Sequence, residues 1–371
     1  MRWIFISVLA FLVIVLLGNA WLGNITKRIQ LFSPISPKPA SQTPTGDIPR
    51  LAVISENLEI PWEIVFLPDK SALITERPGR IRLLSKNGVL SSHPVATISE
   101  VKHFGEGGLL GITLHPEFKK NHFVYVYYTY SQNGENTLNK IVRYTFEKDS
   151  LTNPKTLVDS IPGAIFHNGG RIKFGPDGLL YVTTGDARQP SLSQNKNALA
   201  GKILRMTADG KVGPDNPFNN YTYSYGHRNP QGLAWDNQGN LWETEHGQSA
   251  HDEVNKIEAG HNYGWPIIQG DEKQQDMTSP VIQSGNDTWA PSGTSYLEGF
   301  FYFAGLKGNA LYRLDPKTNS LKMFLKDELG RIRSVTVGPD NLLYILTNNR
   351  DGRGIPGPND DKIIRLNPKL L

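Results

Sequence analysis

The chain has 371 residues and a net charge of only +4, and it contains no cysteine. The small, dispersed positive excess argues against nucleic acid as a partner, and the missing thiols exclude disulfides, thiolate catalysis and zinc sites built on sulfur. A composition with 36 Gly, 25 Pro, 14 Tyr and 7 Trp favours an all-β protein.

Residues 1–22 carry one Arg and then a long, uncharged, largely apolar run. This segment fits two interpretations: a secretory signal peptide with small residues at Gly18-Asn19-Ala20 for cleavage, or a retained membrane anchor. Both interpretations place the body of the protein outside the cytoplasm, either periplasmic or secreted. Residues 23–49 are rich in Pro, Ser and Thr and are predicted to form an extended linker.

The body, residues 50–371, repeats one phrase six times: an apolar stretch, a turn, a second apolar stretch and a polar end. The copies are IVFLPDKSALITER (64–77), ITLHPEFKKNHFVYVYY (112–128), IKFGPDGLLYVTTGD (172–186), LAWDNQGNLWETEHG (233–247), GTSYLEGFFYFAGLKGNALYRLDP (293–316) and VTVGPDNLLYILTNN (335–349). A spacing of about 50 residues is typical of propeller blades. A sandwich has no reason to repeat at this period, and a β-helix would repeat faster. We therefore predict a six-bladed β-propeller with four-stranded antiparallel blades.

The polar ends of the repeats are expected to meet at one rim of the propeller, over its central channel. Cationic and amide groups from separate blades fall at this rim, namely Arg228, Asn229, Lys307, Arg331 and Arg333. For any one of these residues, solvation or ion pairing at the surface is the simpler interpretation. Several cations at one level instead favour a polyanionic ligand held by charge-assisted hydrogen bonds.

Two further features carry candidate chemistry. The segment EHGQSAHDEVNKIEAGHNYGWP (245–266) is dense in oxygen ligands but lacks the pattern of an EF-hand. It fits either a Ca²⁺ site or a turn whose carboxylates cap backbone amides. His167 stands at the entry of the third repeat and is either a general base or a structural histidine.

Seven phrases in order carry a resemblance to a known family: GEGGLLGITLHPEF, HNGGRIKFGPDGLLYVTTGD, GKILRM, YGHRNPQGLAWD, EHGQSAHDEVN, GHNYGWP and GRIRSVTVGPDNLLYILT. Over residues 50–368 the chain resembles the soluble quinoprotein glucose/sorbosone dehydrogenases, especially their aldose sugar dehydrogenase branch. The resemblance implies a six-bladed propeller that holds pyrroloquinoline quinone (PQQ) and Ca²⁺ over the channel. It also implies oxidation of aldoses at C1 to lactones, with electrons passing to an external quinone or redox protein.

The resemblance further implies roles for single residues. His167 matches the family's catalytic base. Positions that hold the cofactor in the family are matched by Glu106, Gln189, Arg228, Asn229, Lys307, Arg331 and Arg333. Gly247 and Gln248 match positions whose carbonyls face the cofactor-bound Ca²⁺, while Glu253 and Tyr263 match a second, structural Ca²⁺ site.

Two residues depart from the family pattern. Glu106 replaces the usual Gln, and a carboxylate beside PQQ repels its anionic groups unless it is protonated or paired with a cation. Phe166 replaces a polar residue before the base, which predicts weaker contacts to the sugar. Two alternatives therefore stay open: a non-catalytic extracytoplasmic binding module, and a Ca²⁺-dependent propeller lactonase. The cation set argues against the lactonase, because a lactone carries no polyanionic group.

Overall fold

The structure is a computed structural model and describes residues 48–131, 134 and 136–371. Within these residues, twenty-four strands form six antiparallel sheets of four strands each. The sheets are the blades of a six-bladed β-propeller, which confirms the predicted fold class. The predicted signal peptide or anchor lies outside the described residues, as does all of the predicted linker except residues 48 and 49.

The first three blades follow one another along the chain. Blade 1 contains β2 (Pro61–Phe66), β3 (Ala72–Glu76), β4 (Arg80–Leu84) and β5 (Ala96–Thr97). Blade 2 contains β6 (Leu109–Leu114), β7 (Phe123–Ser131), β8 (Thr137–Glu147) and β9 (Ser150–Pro162). Blade 3 contains β10 (Ile172–Phe174), β11 (Leu180–Thr184), β12 (Lys202–Met206) and β13 (Thr222–Tyr225).

The last three blades complete the ring. Blade 4 contains β14 (Pro230–Trp235), β15 (Leu241–Glu245), β16 (Glu253–Ile257) and β17 (Ile282–Gln283). Blade 5 contains β18 (Pro291–Leu297), β19 (Phe300–Gly305), β20 (Ala310–Asp315) and β21 (Ser320–Phe324). Blade 6 contains β22 (Ile332–Val337), β23 (Leu343–Thr347) and β24 (Ile363–Leu366), and its fourth strand is β1 (Leu51–Ser55).

Helical structure is scarce in the described part of the chain. It is confined to Phe118–Asn121, Ser191–Gln194 and a 3₁₀ turn at Pro368–Leu370. Within the described ranges, no helix has the length and the apolar character that crossing a bilayer requires.

Each predicted repeat overlaps the first two strands of a blade, and the fifth, residues 293–316, also covers β20. The third repeat, residues 172–186, forms β10 and β11, which pair from Ile172 with Val182 to Phe174 with Leu180. Gly178 closes the turn between them with a φ of 75°, a left-handed conformation that favours glycine. The sequence pattern thus marked the inner hairpin of every blade.

Six apolar clusters hold the blades together, one at each junction between neighbours. Blades 3 and 4 meet through Ile203 and Leu233, for example, and blades 6 and 1 meet through Leu346 and Ile74. A single blade has no neighbour to cover either face, so the ring is the unit that buries its own apolar surface. Burial of apolar area stabilises a fold by about 25 cal/mol per Å², so each junction contributes to the stability of the ring.

The strand pairing brings polar residues of all blades to one rim. Because the strands are antiparallel, the start of each inner strand lies beside the end of the second strand, as Pro230 lies beside Glu245. Deeper in the channel, Glu63 of β2 forms an ion pair with Arg171, whose guanidinium lies 4.0 Å from the ring centroid of Trp62. Side chains of the inner strands therefore fill the middle of the channel, and the channel is open to solvent at this rim.

Candidate cofactor and active site

Two adjoining cavities open at this rim of the propeller. The first has a volume of about 250 Å³ and the second about 140 Å³. They share Glu106, His246, Ala290 and Arg353 in their walls, so they are two parts of one depression over the channel. Of the predicted site residues, the first cavity is lined by Glu106, His167, Arg228, Gly247 and Gln248, and the second by Glu106, Lys307, Arg331 and Arg333.

His167 is held at the cavity by a buried carboxylate. Its Nδ1 lies 2.7 Å from Oδ1 of Asp186, which follows β11 and is fully buried. An ionised carboxylate only accepts hydrogen bonds, so Nδ1–H donates and the opposite nitrogen, Nε2, keeps its lone pair. Asp186 is itself fixed, because Trp265 Nε1 donates to its Oδ2 at 2.9 Å.

The backbone around His167 is tightly packed. His167 adopts a left-handed conformation with a φ of 64°. Its N–H donates to Oε2 of Glu106 at 3.0 Å, and a Cβ on Gly185 would collide with its carbonyl. The glycine before Asp186 therefore allows the close approach that the dyad of His167 and Asp186 requires.

Glu106 lies beside a cation. Its second oxygen, Oε1, accepts a hydrogen bond from Arg353 Nη1 at 2.8 Å. Burial alone would raise the pKa of Glu106. The neighbouring His246, the His167 N–H and Arg353 outweigh burial and lower the pKa of Glu106 to about 2. The carboxylate predicted to disturb an anionic cofactor is therefore paired with a cation.

The predicted cofactor-binding donors near the first cavity are only partly satisfied by protein. Arg228 Nη1 donates to the carbonyl of His246 at 3.3 Å, but its buried Nε meets no acceptor among the described residues. Asn229 is fully buried, and its Oδ1 accepts the N–H of Gly169 at 3.1 Å. Its Nδ2 likewise finds no acceptor in the described part of the chain.

Three more cations surround the second cavity. Arg333 Nη1 donates to Gln231 Oε1 at 2.8 Å, while its buried Nε has no acceptor within the described ranges. Burial lowers the pKa of Arg333 to about 9. Arg331 instead pairs with Asp351, its Nη2 lying 2.8 Å from Oδ2. Lys307 is exposed in the cavity wall. The three cations thus differ in how many of their hydrogen bonds the protein itself accepts.

Gln189 lies apart from the other predicted residues. It is exposed in the turn that follows the dyad carboxylate, where its N–H donates to the carbonyl of Asp186 at 2.8 Å. It does not line either cavity. Phe166, in contrast, does line the first cavity, and it lies against the guanidinium of Arg353 with 5.2 Å between Cζ and the ring centroid.

The loop after β15 presents the predicted calcium carbonyls. Gly247 and Gln248 line the first cavity beside Arg228. Asp252 anchors this loop, since its Oδ1 accepts the N–H of Gly247 at 2.9 Å and its Oδ2 accepts the N–H of Trp289 at 2.6 Å. A buried carboxylate therefore holds Gly247 in position, while the carbonyl of Gln248 accepts from Arg228 Nη2 at 3.5 Å.

A second group of oxygen atoms lies within blade 4. Glu243 and Glu245 alternate along β15 and face Asn255 and Glu253 on β16. Burial raises the pKa of each of the three carboxyls. Repulsion from Glu245 raises the pKa of Glu243 and Glu253 further, and repulsion from Asp186 does the same for Glu245. Glu243 Oε1 and Asn255 Oδ1 are buried and meet no donor among the described residues. We call these four residues the blade 4 oxygen cluster; its chemistry fits a hard cation.

Tyr263 and His227 border this cluster. The ring of His227 stacks on that of Tyr263 at 4.8 Å, and a ligand atom of His227 lies within 4.8 Å of ligand atoms of Glu243 and Glu245. The phenol of Tyr263 donates to the carbonyl of Lys256 at 2.7 Å. Its oxygen also accepts the N–H of Glu258 at 2.9 Å, so any ligand from Tyr263 would be its backbone carbonyl rather than its hydroxyl.

Sequence reasoning gave no role to several residues that shape the site. They are Asp186, His246 and Arg353 around the cavities, together with His227 and Glu243 near the cluster. Asp252 was expected as an oxygen ligand, whereas in the structure it anchors the loop that carries Gly247. A signal existed for Asp186, because a residue just after β11 must lie beside the segment that leads into β10. Arg353 offered no such signal, since it stands on a non-repeating loop.

Comparison with known proteins assigns the family. Residues 58–364 match the sequence model of the family described as Glucose / Sorbosone dehydrogenase. The chain belongs to the glucose/sorbosone dehydrogenase family. The aldose sugar dehydrogenase YliI of Escherichia coli is 30% identical, with 81% of this chain and 90% of the relative covered.

Solved structures extend this family assignment. A putative oxidoreductase (glucose dehydrogenase) from Thermus thermophilus superimposes with a TM-score of 0.81 at 42% identity, covering 86% of this chain and 99% of the other. The PQQ-bound aldose sugar dehydrogenase of Streptomyces coelicolor gives a TM-score of 0.80 at 40% identity, covering 85% and 97%. The resemblance to the glucose/sorbosone dehydrogenase family that the seven phrases indicated is confirmed.

Proposed function

We propose that the protein is a PQQ-dependent dehydrogenase that oxidises aldose sugars at C1 to lactones, extracytoplasmically, and passes the electrons to an external quinone or redox protein. One observation carries the proposal: His167, oriented by Asp186, faces the same depression as the partly unsatisfied donors of Arg228 and Arg333. Family membership and the PQQ-bound relative of 40% identity support the same function.

The residues present fit PQQ. The cofactor carries three carboxylates, and the depression offers Arg228, Lys307, Arg331 and Arg333, with Asn229 buried directly after Arg228. The buried Nε of Arg228, the Nδ2 of Asn229 and the Nε of Arg333 lack acceptors among the described residues. A buried donor left without an acceptor is unfavourable, so these groups suit a ligand rich in oxygen atoms. The carbonyls of Gly247 and Gln248 would hold Ca²⁺ at the same cavity.

The chain's own groups would carry out the proton transfer. When bound, PQQ supplies the acceptor for the C1 hydride, and Ca²⁺ polarises its quinone oxygen. His167 would remove the proton from the anomeric hydroxyl through Nε2, which the hydrogen bond from Nδ1–H to Asp186 leaves free to accept. The negative charge of Asp186 would then stabilise the imidazolium that forms. Phe166 would present an apolar wall to the sugar.

The test uses purified, cofactor-free protein comprising residues 50–371. Titration with PQQ and Ca²⁺ should show stoichiometric binding, and a panel of aldoses should then reduce a redox dye. His167→Ala should bind PQQ as the wild type does and lose turnover by about 10²-fold or more. A folded protein that does not bind PQQ would contradict the proposal and favour a binding module.

A further inference from the structure

The carboxylate of Glu106 has the wrong charge for a site that receives an anionic cofactor. It lines both cavities, and its side chain is 16% exposed. The group is ionised at neutral pH, as its lowered pKa indicates. An ionised carboxylate with no counter-ion would repel a tricarboxylate bound in the same depression.

Glu106 also has little freedom to move away. Its Oε2 accepts the backbone N–H of His167 at 3.0 Å, and His167 has a left-handed φ of 64°. If the carboxylate swung out of the cavity, the N–H of the proposed base would lose its acceptor. Repulsion between Glu106 and an anionic cofactor is therefore best relieved by a cation that pairs with Glu106 in its present position.

Arg353 is placed to be that cation. Its Nη1 lies 2.8 Å from Glu106 Oε1, and its guanidinium lies over the ring of Phe166. The loop that carries Arg353 is fixed by Asp351, whose Oδ1 accepts the N–H of Arg353 at 2.9 Å. Oδ2 of the same Asp351 accepts from Arg331 at 2.8 Å. One carboxylate therefore positions both arginines.

Building on the proposed function, we propose that Arg353 is the counter-ion that lets ionised Glu106 stay beside an anionic cofactor. Arg353 is thus a positioning residue of the cofactor site. The pair of Glu106 and Arg353 presents little net charge to the cofactor, as a neutral amide would. The carboxylate meanwhile keeps its hydrogen bond to the backbone of His167.

PQQ affinity in the wild type and four variants tests this role. Arg353→Ala should weaken PQQ binding by about 10-fold or more, because Glu106 is left uncompensated. Glu106→Gln should bind PQQ at least as well as the wild type, and the double variant should recover the affinity lost in Arg353→Ala. Arg188→Ala is the matched control and should keep the wild-type affinity. The Arg188 guanidinium lies 5.8 Å from the same Phe166 ring, but the cation paired with Glu106 is Arg353. Unchanged affinity in Arg353→Ala, or no recovery in the double variant, would overturn the inference.

Thermal unfolding of the same proteins without PQQ and Ca²⁺ gives a second readout. Arg353→Ala should lower the Tm more when Glu106 is present than when Gln replaces it, because only a carboxylate loses its partner. If the wild type binds PQQ but the two substitutions change the Tm additively, the inference about Arg353 is overturned and the proposed function is not. A wild type that does not bind PQQ would overturn the proposed function, and the cofactor role of Arg353 with it.

Discussion

The orientation of His167 depends on a carboxylate from the neighbouring strand. Asp186 accepts from the ring Nδ1, and Trp265 and the N–H of Arg188 hold Asp186 in turn. These contacts fix which ring nitrogen carries the proton. The proposed role of His167 as a base thus depends on Asp186 as well.

Replacing Asp186 with Asn tests that dependence. Asn can donate to Nδ1, which would reverse the tautomer and leave a proton on Nε2, so turnover should fall by about 10²- to 10⁴-fold. PQQ affinity should change little, because Asp186 does not line the cavities. The measurement is dye reduction at saturating sugar, with PQQ binding followed separately.

Asp177→Asn is the matched control for this variant. Asp177 lies in the turn of the same hairpin and accepts from Tyr181 and Arg205, away from the cavities. It should retain wild-type turnover. Full turnover in Asp186→Asn would remove Asp186 from the mechanism.

The pH dependence of stability reports on Glu106. Its pKa in the folded protein is about 2, below the ordinary value of 4.5. The ionised form therefore stabilises the folded state at neutral pH, and this contribution disappears as pH falls from about 4.5 towards 2. Wild type should exceed Glu106→Gln by on the order of 1–3 kcal/mol in free energy of unfolding at pH 7. Urea unfolding at pH 7 and pH 3 should show that difference shrinking at the lower pH; a constant difference would contradict it.

Residue-scale prediction succeeded where a residue stands in a recognisable phrase. His167 and the rim cations were found in this way, and the structure brings them to one depression. The predicted amide residues Asn229 and Gln189 line neither cavity. Arg353 could not be found, because it meets Glu106 across 247 positions of chain and stands in no repeat. Contacts of that kind are set by how the ring closes, which local sequence does not show.

At the scale of single elements, blade 4 differs from an ordinary amphipathic sheet. In the stretch LWETE of β15, the alternation suggests that Glu243 and Glu245 face solvent. In a propeller, neighbouring blades cover both faces of the sheet, and all five residues are buried. The sequence identified Glu245 and Glu253 because both lie in the oxygen-rich segment 245–266, whereas Glu243 precedes it and its alternation gives no sign of burial.

The blade 4 oxygen cluster predicts stabilisation by Ca²⁺. A cation bound only by the folded state would raise the free energy of unfolding by about 2.7 kcal/mol at a concentration of 100 times Kd. Thermal unfolding in EGTA and in CaCl₂ should therefore give a higher Tm with Ca²⁺. Glu243→Gln should reduce this increase, whereas Glu258→Gln, at an exposed position near the end of the same strand pair, should not. An equal increase in both variants would place the cation elsewhere.

At the scale of the whole molecule, β1 completes the sixth blade. It pairs with β24 from Leu51 with Leu366 to Ser55 with Ile363. The six repeats predicted the number of blades, but they did not indicate how the ring closes. The reason is that β1, with the sequence LAVIS, lies outside all six repeats and lacks their turn and polar end.

Removal of β1 should open the ring. Deletion of residues 1–56 would expose an edge of β24 and part of the apolar junction between blades 5 and 6, where Leu51 packs. We expect the Tm to fall by on the order of 5 °C or more, with increased self-association. Deletion of residues 1–49 leaves β1 intact and is the matched control. Equal Tm values and equal monomer fractions by size-exclusion chromatography would contradict a structural role for β1.

The pairing of β1 with β24 also sets the order of folding events. The two strands come from opposite ends of the described chain, so the ring can close only after the last strand has been synthesised. Contacts this distant in sequence form slowly, and until they form the open chain presents two unpaired strand edges. Premature termination between Val337 and Ile363 would make that exposed intermediate permanent, even though the dyad, Arg331 and Arg333 had already been made.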